Sequence, residues 1–476
     1  MKEGTLMAIP NTHFGKDYIG ELLCGKKKIF FAGIGGVSMC SLAHISMLRG
    51  HTVAGYDRTP SKLTRSLEDA GAAVYYESSA DHVRDADLLV YTVAIPESNE
   101  EYSTAGEMGI PRISRADFLG YIMSTYGARI GVSGMHGKST TTSMLERIFT
   151  GAGFDPTVSC GAVMKDAGSA HIVGGDDYFI FEACEYMDSF LDFYPTTAVI
   201  LNIELDHVDY FESLDQIKRS FAKFAALTGE GGIVVANRCD ADVMESVKDY
   251  KGRLVTFGIE CDDADYNAKG IRYEGGRVIY DLYIRGDFTV TVDMGIPGEH
   301  YVWDATAAIA AAVENGVPAD SAAAALGTFE GAARRMELCG KTPEGAAVYS
   351  DYAHHPTEVA AALTTAGHMA FEKVYCVFQP HTYSRTAEFI DDFAAALAAP
   401  HLRRVVVNDI YAAREVDTLG VSAALLTEKI NALGGKATYI PDFGDIADWL
   451  RGHCKEGDMI LIMGAGDINA VVKLIL

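Results

Sequence analysis

Positive charge is scarce in this chain of 476 residues: 40 lysines and arginines stand against 65 aspartates and glutamates, a formal balance of −25. Nucleic acid and anionic membranes would repel such a surface, so neither is an expected partner, while a local pocket for a small anion is still permitted. Long apolar runs are missing too. Stretches such as 305–313 fall well short of the ~20 residues a membrane helix needs. Residues 1–19 hold no continuous apolar segment of the kind that marks a secretory signal. The nine cysteines include no CxxC pair. That argues against a zinc ribbon or disulfide scaffold, and for reduced thiols buried as small core hydrophobes in a cytoplasmic protein. No fixed-period repeat or low-complexity tract interrupts the chain.

What is present reads as globular, 49% hydrophobic and 22% charged, with a length that implies two to three domains. Short apolar runs at 28–32, 51–56 and 86–93 alternate with a helical pattern at 37–48, the rhythm of a parallel sheet with crossover helices. A second unit opens near Gly127, with strands expected at 128–132, 178–183, 197–202 and 231–236 and a helix over 139–150. From 277 to 293 the period switches to two around Arg285-Gly286-Asp287, which predicts a β-hairpin. Helices are expected at 304–313 and 319–326. A third α/β layer follows Arg334, with strands at 348–352, 374–378, 405–408, 438–440 and 459–463.

Four groups of residues carry chemistry. Gly33, Gly35, Gly36 and Ser38 lie between a strand and a helix, where glycine lets backbone approach a diphosphate at the helix N-terminus. Asp57, 21 residues after Gly36, ends the second strand and is placed to bind a ribose hydroxyl. A UDP-sugar meets this arrangement as well as a nicotinamide dinucleotide does. The second group, Gly131 to Ser139 (GVSGMHGKS), follows a strand and opens a helix: Gly134 and Gly137 shape a loop of inward N–H groups, Lys138 can reach β- and γ-phosphates, and Ser139 can ligate Mg²⁺. Third, Glu182, Glu185 and Asp188 follow one strand, and Asn202, Asp206, His207 and Asp209 the next, supplying oxygen donors for a hard cation. The fourth group comprises the GAARRME, DYAHHPTE and QPHTYSRT segments of the last third, whose Arg and His side chains suit phosphate or carboxylate.

The ordered series GIGGVSM, GMHGKSTTT, EACEYMDSF, NIELDHVDYF, GEHYVWDA, GAARRME, DYAHHPTE, QPHTYSRT and GAGD resembles, in register over essentially the whole chain, the Mur ligases of peptidoglycan synthesis. The resemblance implies a three-domain α/β protein: a Rossmann-like UDP-substrate domain (1–126), a central P-loop ATP-binding domain with a mixed sheet and a β-hairpin (127–333), and a Rossmann-like domain (334–476) that closes over ATP and binds the amino acid. It implies a cytoplasmic, ATP-dependent carbon–nitrogen ligase, monomeric or homodimeric, acting in cell-wall synthesis and hence in cell shape and division. Its partners are ATP, UDP-N-acetylmuramate and L-alanine, with Mg²⁺ (or Mn²⁺) as cofactor; the lactyl carboxylate is activated as an acyl phosphate. A relative that adds a peptide to the same sugar is the alternative.

By the same resemblance Lys138, Glu185 and His207 are catalytic, and Ser139, Glu185 and His207 hold metal. Gly134, Gly137, Lys138, Ser139, Thr140, His300, Asp304 and Arg335 bind ATP. Gly35, Gly36, Val37, Ser38, Asp57, Thr92 and His136 serve the sugar nucleotide, and Tyr352, His354, His381 and Arg385 the amino acid. Four positions depart from the family pattern: Tyr301 and Asp304 stand where asparagines hold adenine, Thr382 stands where some relatives have arginine, and Cys184 replaces an acid. An ionised Asp304 would accept hydrogen bonds from adenine but not donate them.

Overall fold

The computed structural model describes residues 9–476 apart from 208, 209, 275, 276 and 414. Three sheets succeed one another along the chain. The first holds β1 (Lys28–Ala32), β2 (Thr52–Tyr56), β3 (Ala73–Tyr75), β4 (Leu88–Tyr91) and β5 (Arg112–Ser114) in the order β3-β2-β1-β4-β5, all parallel. The KIFFA and LLVY strands are buried almost throughout, as befits a parallel sheet covered on both faces. The crossover helix Val37–Leu48 has the expected bounds.

The second sheet contains β6 (Ala128–Ser133), β7 (Thr157–Met164), β8 (Ser169–Ile172), β9 (Tyr178–Glu182), β10 (Thr197–Ile200), β11 (Ile233–Asn237), β12 (Arg253–Ile259), β13 (Tyr266–Glu274), β14 (Arg277–Ile284) and β15 (Asp287–Met294). Its order is β15-β14-β13-β12-β11-β10-β6-β9-β7-β8. The interior is parallel, β8 and the β13-β14-β15 end antiparallel. The expected hairpin is thus the outer part of a three-stranded meander. Helices Lys138–Gly151 and His300–Glu314 pack against each other over this sheet. Their contact is rich in alanine from the second helix, and each runs beyond the expected range, His300–Glu314 by a full turn at its start.

The third sheet has β16 (Glu337–Lys341), β17 (Ala347–Asp351), β18 (Lys373–Phe378), β19 (Leu402–Val407), β20 (Ala437–Tyr439) and β21 (Asp458–Met463), ordered β16-β17-β21-β18-β19-β20 with only β16 antiparallel. Strands β3, β5, β7, β8, β12, β13 and β16 are additions to those expected from sequence: they are three residues long, lie toward a sheet edge, or, like β7 (TVSCGAVM), lack a continuous apolar run. All nine cysteines are free, but Cys24 and Cys239 are exposed, which corrects the expectation that every thiol is a core residue. Among the described residues no helix is long and apolar enough to cross a membrane.

The strand order breaks between β1 and β4 in the first sheet, beside β6 in the second and on both sides of β21 in the third. In open parallel sheets loops at carboxyl ends splay apart there and leave a crevice. The singled-out segments leave the sheets at these places: Gly33–Ser38 after β1, the Lys138 loop after β6, and the Asp351 and Gln379 segments after β17 and β18.

Candidate active site

The loop after β6 is held open by backbone that a side chain would spoil. Gly134 and Gly137 take φ of +142° and +85°, and a Cβ on Gly134 would lie 2.9 Å from the Leu201 side chain. Asn202, just past β10, clamps the loop: its Oδ1 accepts the His136 N–H at 2.9 Å and its Nδ2 donates to the His136 carbonyl at 3.0 Å. Lys138 folds over the loop, donating to the Gly134 and Met135 carbonyls at 2.5 and 3.1 Å.

Two carboxylates at the end of β9 face this loop. The Ser139 hydroxyl donates to Glu182 Oε2 at 2.8 Å, and the same oxygen accepts the Gly161 N–H at 2.9 Å. Glu185 is fully buried, with Lys138 Nζ 3.0 Å and His207 Nε2 3.2 Å from its carboxylate oxygens. Burial alone would raise its pKa; the Lys138 ammonium, then His207, outweigh this and hold it below the ordinary value. Glu185 Oε2 has no well-directed hydrogen bond. The Ser139 hydroxyl, the Glu182 and Glu185 carboxylates and the His207 imidazole are donor types that a hard divalent cation takes, with Glu185 also paired to the Lys138 ammonium. Asp188 does not join this set, because Tyr210 donates to it at 2.9 Å and Ser220 occupies its other oxygen. Asp209 lies outside the described residues.

A cavity of about 650 Å³ opens beside the loop, lined by His136, Gly137, Thr140, His300, Tyr301, Asp304 and Arg335 among others. Asp304 is buried there, and burial, only partly offset by Arg335, raises its pKa to about 7. Part of the population therefore carries a proton near neutrality and can donate a hydrogen bond, which revises the acceptor-only reading. His300 goes the other way: burial, then Arg335, lowers it to about 4, so its ring is neutral. For an acid with a raised folded pKa, the native state binds the proton more tightly than the unfolded chain, so stability falls as pH rises from ~4 to ~7. Asp304→Asn is therefore expected to stabilise the folded chain at pH 8, by an amount on the order of 3 kcal/mol and with a higher unfolding temperature, and to leave it nearly unchanged at pH 3. Thermal scans at the two pH values check this.

From the third sheet, Tyr352, His354, His381 and Arg385 form one chain of contacts: Tyr352 and His354 rings 5.2 Å apart, His354 and His381 rings 5.7 Å apart, and Arg385 Nη1 3.3 Å from His381 Nδ1. Arg335 stacks 5.2 Å over Tyr352 and lies 3.8 Å from Glu358. Arg385 is engaged on its other edge by Asp206, through Nε at 3.2 Å and Nη2 at 2.8 Å. His136 bridges the units as well, 3.3 Å from Glu358 and 3.6 Å from Glu204. Burial would lower the His136 pKa, but those two carboxylates hold it up at about 9, so it is a cation at neutral pH. The third unit is thus docked against the loop of the second.

The glycine loop after β1 lines a separate cavity of about 650 Å³ with Val37, Ser38, Asp57 and Thr92. Asp57 accepts the Gly35 N–H at 2.9 Å, and a Cβ on Gly35 would meet that carboxylate at 2.7 Å. Gly36 also lines it. Sequence reasoning missed Arg115, which borders this cavity and donates to Ser38 Oγ at 3.2 Å. Its position immediately after β5, at the carboxyl end of a strand, was the available signal. Arg334 was noted only within its segment; its guanidinium stacks 4.8 Å over Tyr352 and donates to the Gly466 carbonyl at 3.3 Å.

A phosphate loop at the reversal point of a parallel sheet, faced by strand ends of a second α/β unit, defines a nucleotide-dependent enzyme with a composite site. The chain belongs to the Mur ligase family: it matches the Mur ligase family catalytic domain over 28–126, the Mur ligase middle domain over 132–312 and the Mur ligase glutamate ligase domain over 334–466. It is 43% identical to UDP-N-acetylmuramate–L-alanine ligase of Clostridium novyi over 94% of this chain and 97% of that protein. It is 44% identical to the ligase of the same name from Lachnospira eligens over 93% and 96%. Among solved structures, the UDP-N-acetylmuramate-alanine ligase of Thermotoga maritima aligns with a TM-score of 0.79 at 26% identity, covering 94% of this chain and 97% of that one.

Proposed function

We propose that this protein is the ATP-dependent ligase that joins L-alanine to the lactyl carboxylate of UDP-N-acetylmuramate in peptidoglycan precursor synthesis. The observation that carries the reading is the near-complete alignment with relatives of that name, together with the contacts of Glu358 with His136 of the loop and of Arg385 with Asp206. The division at 1–126, 127–333 and 334–476 assigns the sugar nucleotide, ATP and amino acid to successive units. In the reaction the carboxylate attacks the γ-phosphorus of ATP and ADP leaves; the alanine amine then attacks the acyl carbon, loses a proton and expels phosphate.

Each group of residues has a role consistent with its surroundings. Loop N–H groups and Lys138 receive the β- and γ-phosphates; Asp304 and His300 meet the base, and Arg335 adds positive charge. Ser139, Glu185 and His207 would hold Mg²⁺, which supplies neutralisation of charge between two approaching anions. Gly35, Gly36, Val37, Ser38, Asp57 and Thr92, with Arg115, form the sugar-nucleotide cradle. Asp206 fixes the Nε–Nη2 edge of Arg385, and Nη1, beside His381, is the group that meets the alanine carboxylate. His381, lowered to about 4 by burial first and then by His354 and Arg385, is neutral and adds no charge to repel the incoming ammonium.

Phosphate release measured with each component omitted in turn tests the proposal: release is expected only with ATP, Mg²⁺, UDP-N-acetylmuramate and L-alanine together. Release that persists without the sugar nucleotide, or that requires a peptide in place of alanine, refutes it. Chelation should reduce turnover to background, and Mg²⁺ or Mn²⁺ should restore it.

A further inference from the structure

Away from the candidate active site, Cys40 and His44 stand one turn apart on the Val37–Leu48 helix and face His171 on β8. Cys40 Sγ lies 3.6 Å from His44 Nδ1, and the two imidazole rings are 5.4 Å apart. One ligand atom from each of the three residues falls within 4.8 Å of the others. Spacing of i and i+4 brings two side chains to one helix face, and the helix packs on the β7–β8 hairpin, which brings in the third.

The chemistry of the trio is that of a thiophilic cation. Cys40 is fully buried, its sulfur 3.6 Å from His44 Nδ1 and 3.7 Å from the Leu63 carbonyl. His171 Nδ1 is buried without a hydrogen-bond partner, an arrangement that costs free energy unless something occupies its lone pair. Burial, then the neighbouring His44, lowers His171 to about 4, so the ring is neutral and available as a ligand. One thiolate and two imidazoles are a donor set suited to Zn²⁺ and its analogues. We infer that Cys40, His44 and His171 form a binding site for a Zn²⁺-class transition-metal ion that ties the first unit to the edge of the second. On binding, the Cys40 thiol gives its proton to solvent and the sulfur takes the metal. The tied helix is the one that starts at the Gly33–Ser38 loop, so a loaded site would fix that loop relative to the central sheet.

Co²⁺ titration of the full-length protein, with excess Mg²⁺ present to fill hard-cation sites, tests the inference by absorbance. One equivalent should bind with a thiolate-to-cobalt charge-transfer band, be displaced by Zn²⁺ and raise the unfolding temperature. Cys239 and Cys261 approach each other beside Gly258 and are the competing thiol source. The band should be unaltered in Cys239→Ser, absent in Cys40→Ser, and at least tenfold weaker in affinity in His171→Gln. Should Cys40→Ser not fold, His171→Gln and His44→Gln decide the matter. No band in the wild type, a band that survives Cys40→Ser, or unchanged affinity in both histidine variants overturns the inference.

Discussion

Lys138→Ala is expected to lower alanine-dependent phosphate release by a factor of ~10³ or more, the scale on which a cation at a transferring phosphoryl group acts. The physical basis is position: Lys138 opens the helix after β6 and has its ammonium over the loop carbonyls and 3.0 Å from Glu185. A second consequence follows from burial. Without the ammonium, fully buried Glu185 retains only the 3.2 Å contact with His207, and an uncompensated buried carboxylate is costly. The variant should therefore also unfold at a lower temperature, while UDP-N-acetylmuramate affinity, set by the first unit, is unchanged in calorimetric titration. Retention of more than a tenth of wild-type turnover would contradict the assignment of the loop.

Asp206→Asn should produce the second large effect. Asp206 and Arg385 are both buried, and they join the strand end after β10 to the segment after β18. Burial would raise the Asp206 pKa, but Arg385, with His207 behind it, holds the carboxylate well below its ordinary range. An acid with a depressed folded pKa contributes stability above its unfolded value near ~4 and loses that contribution as pH falls below it. Removing one member of a buried pair costs ~3–5 kcal/mol. Because the partners belong to different units, the loss should appear as weakened docking of the third unit. A lower unfolding temperature and an alanine KM raised at least tenfold are expected at pH 7, with the stability difference shrinking toward pH 3. An unchanged KM for alanine would show that Arg385 is not oriented by Asp206.

The motifs of this site were legible because each lies at the end of an apolar run. Gly134, Gly137 and Lys138 follow β6; Glu182 and Glu185 follow β9; His381 and Arg385 follow β18. A short buried strand, a glycine turn and a helix leave a local pattern in sequence. Arg115 left a weaker one, since β5 has three residues and no periodicity to announce a strand end. Asp188 matched the pattern of a metal ligand, yet Tyr210 and Ser220 from later in the chain occupy it. Asn202, grouped by sequence with the acids, instead clamps the backbone of His136, a role that depends on β10 lying beside β6.

By itself, then, the sequence determined which residue types stand at which strand ends, and with them the three α/β units, the phosphate loop and the local sources of positive charge within a chain of net charge −25. Those are properties of neighbours along the chain. Tertiary structure decided what required neighbours across it: the pairing of Arg385 with Asp206, 179 residues away, the placement of His136 between Glu204 and Glu358, and the protonation of Asp304. The physical reason is that burial and opposing charge set these states, and both arise only when separate units bring their loop ends together and exclude water.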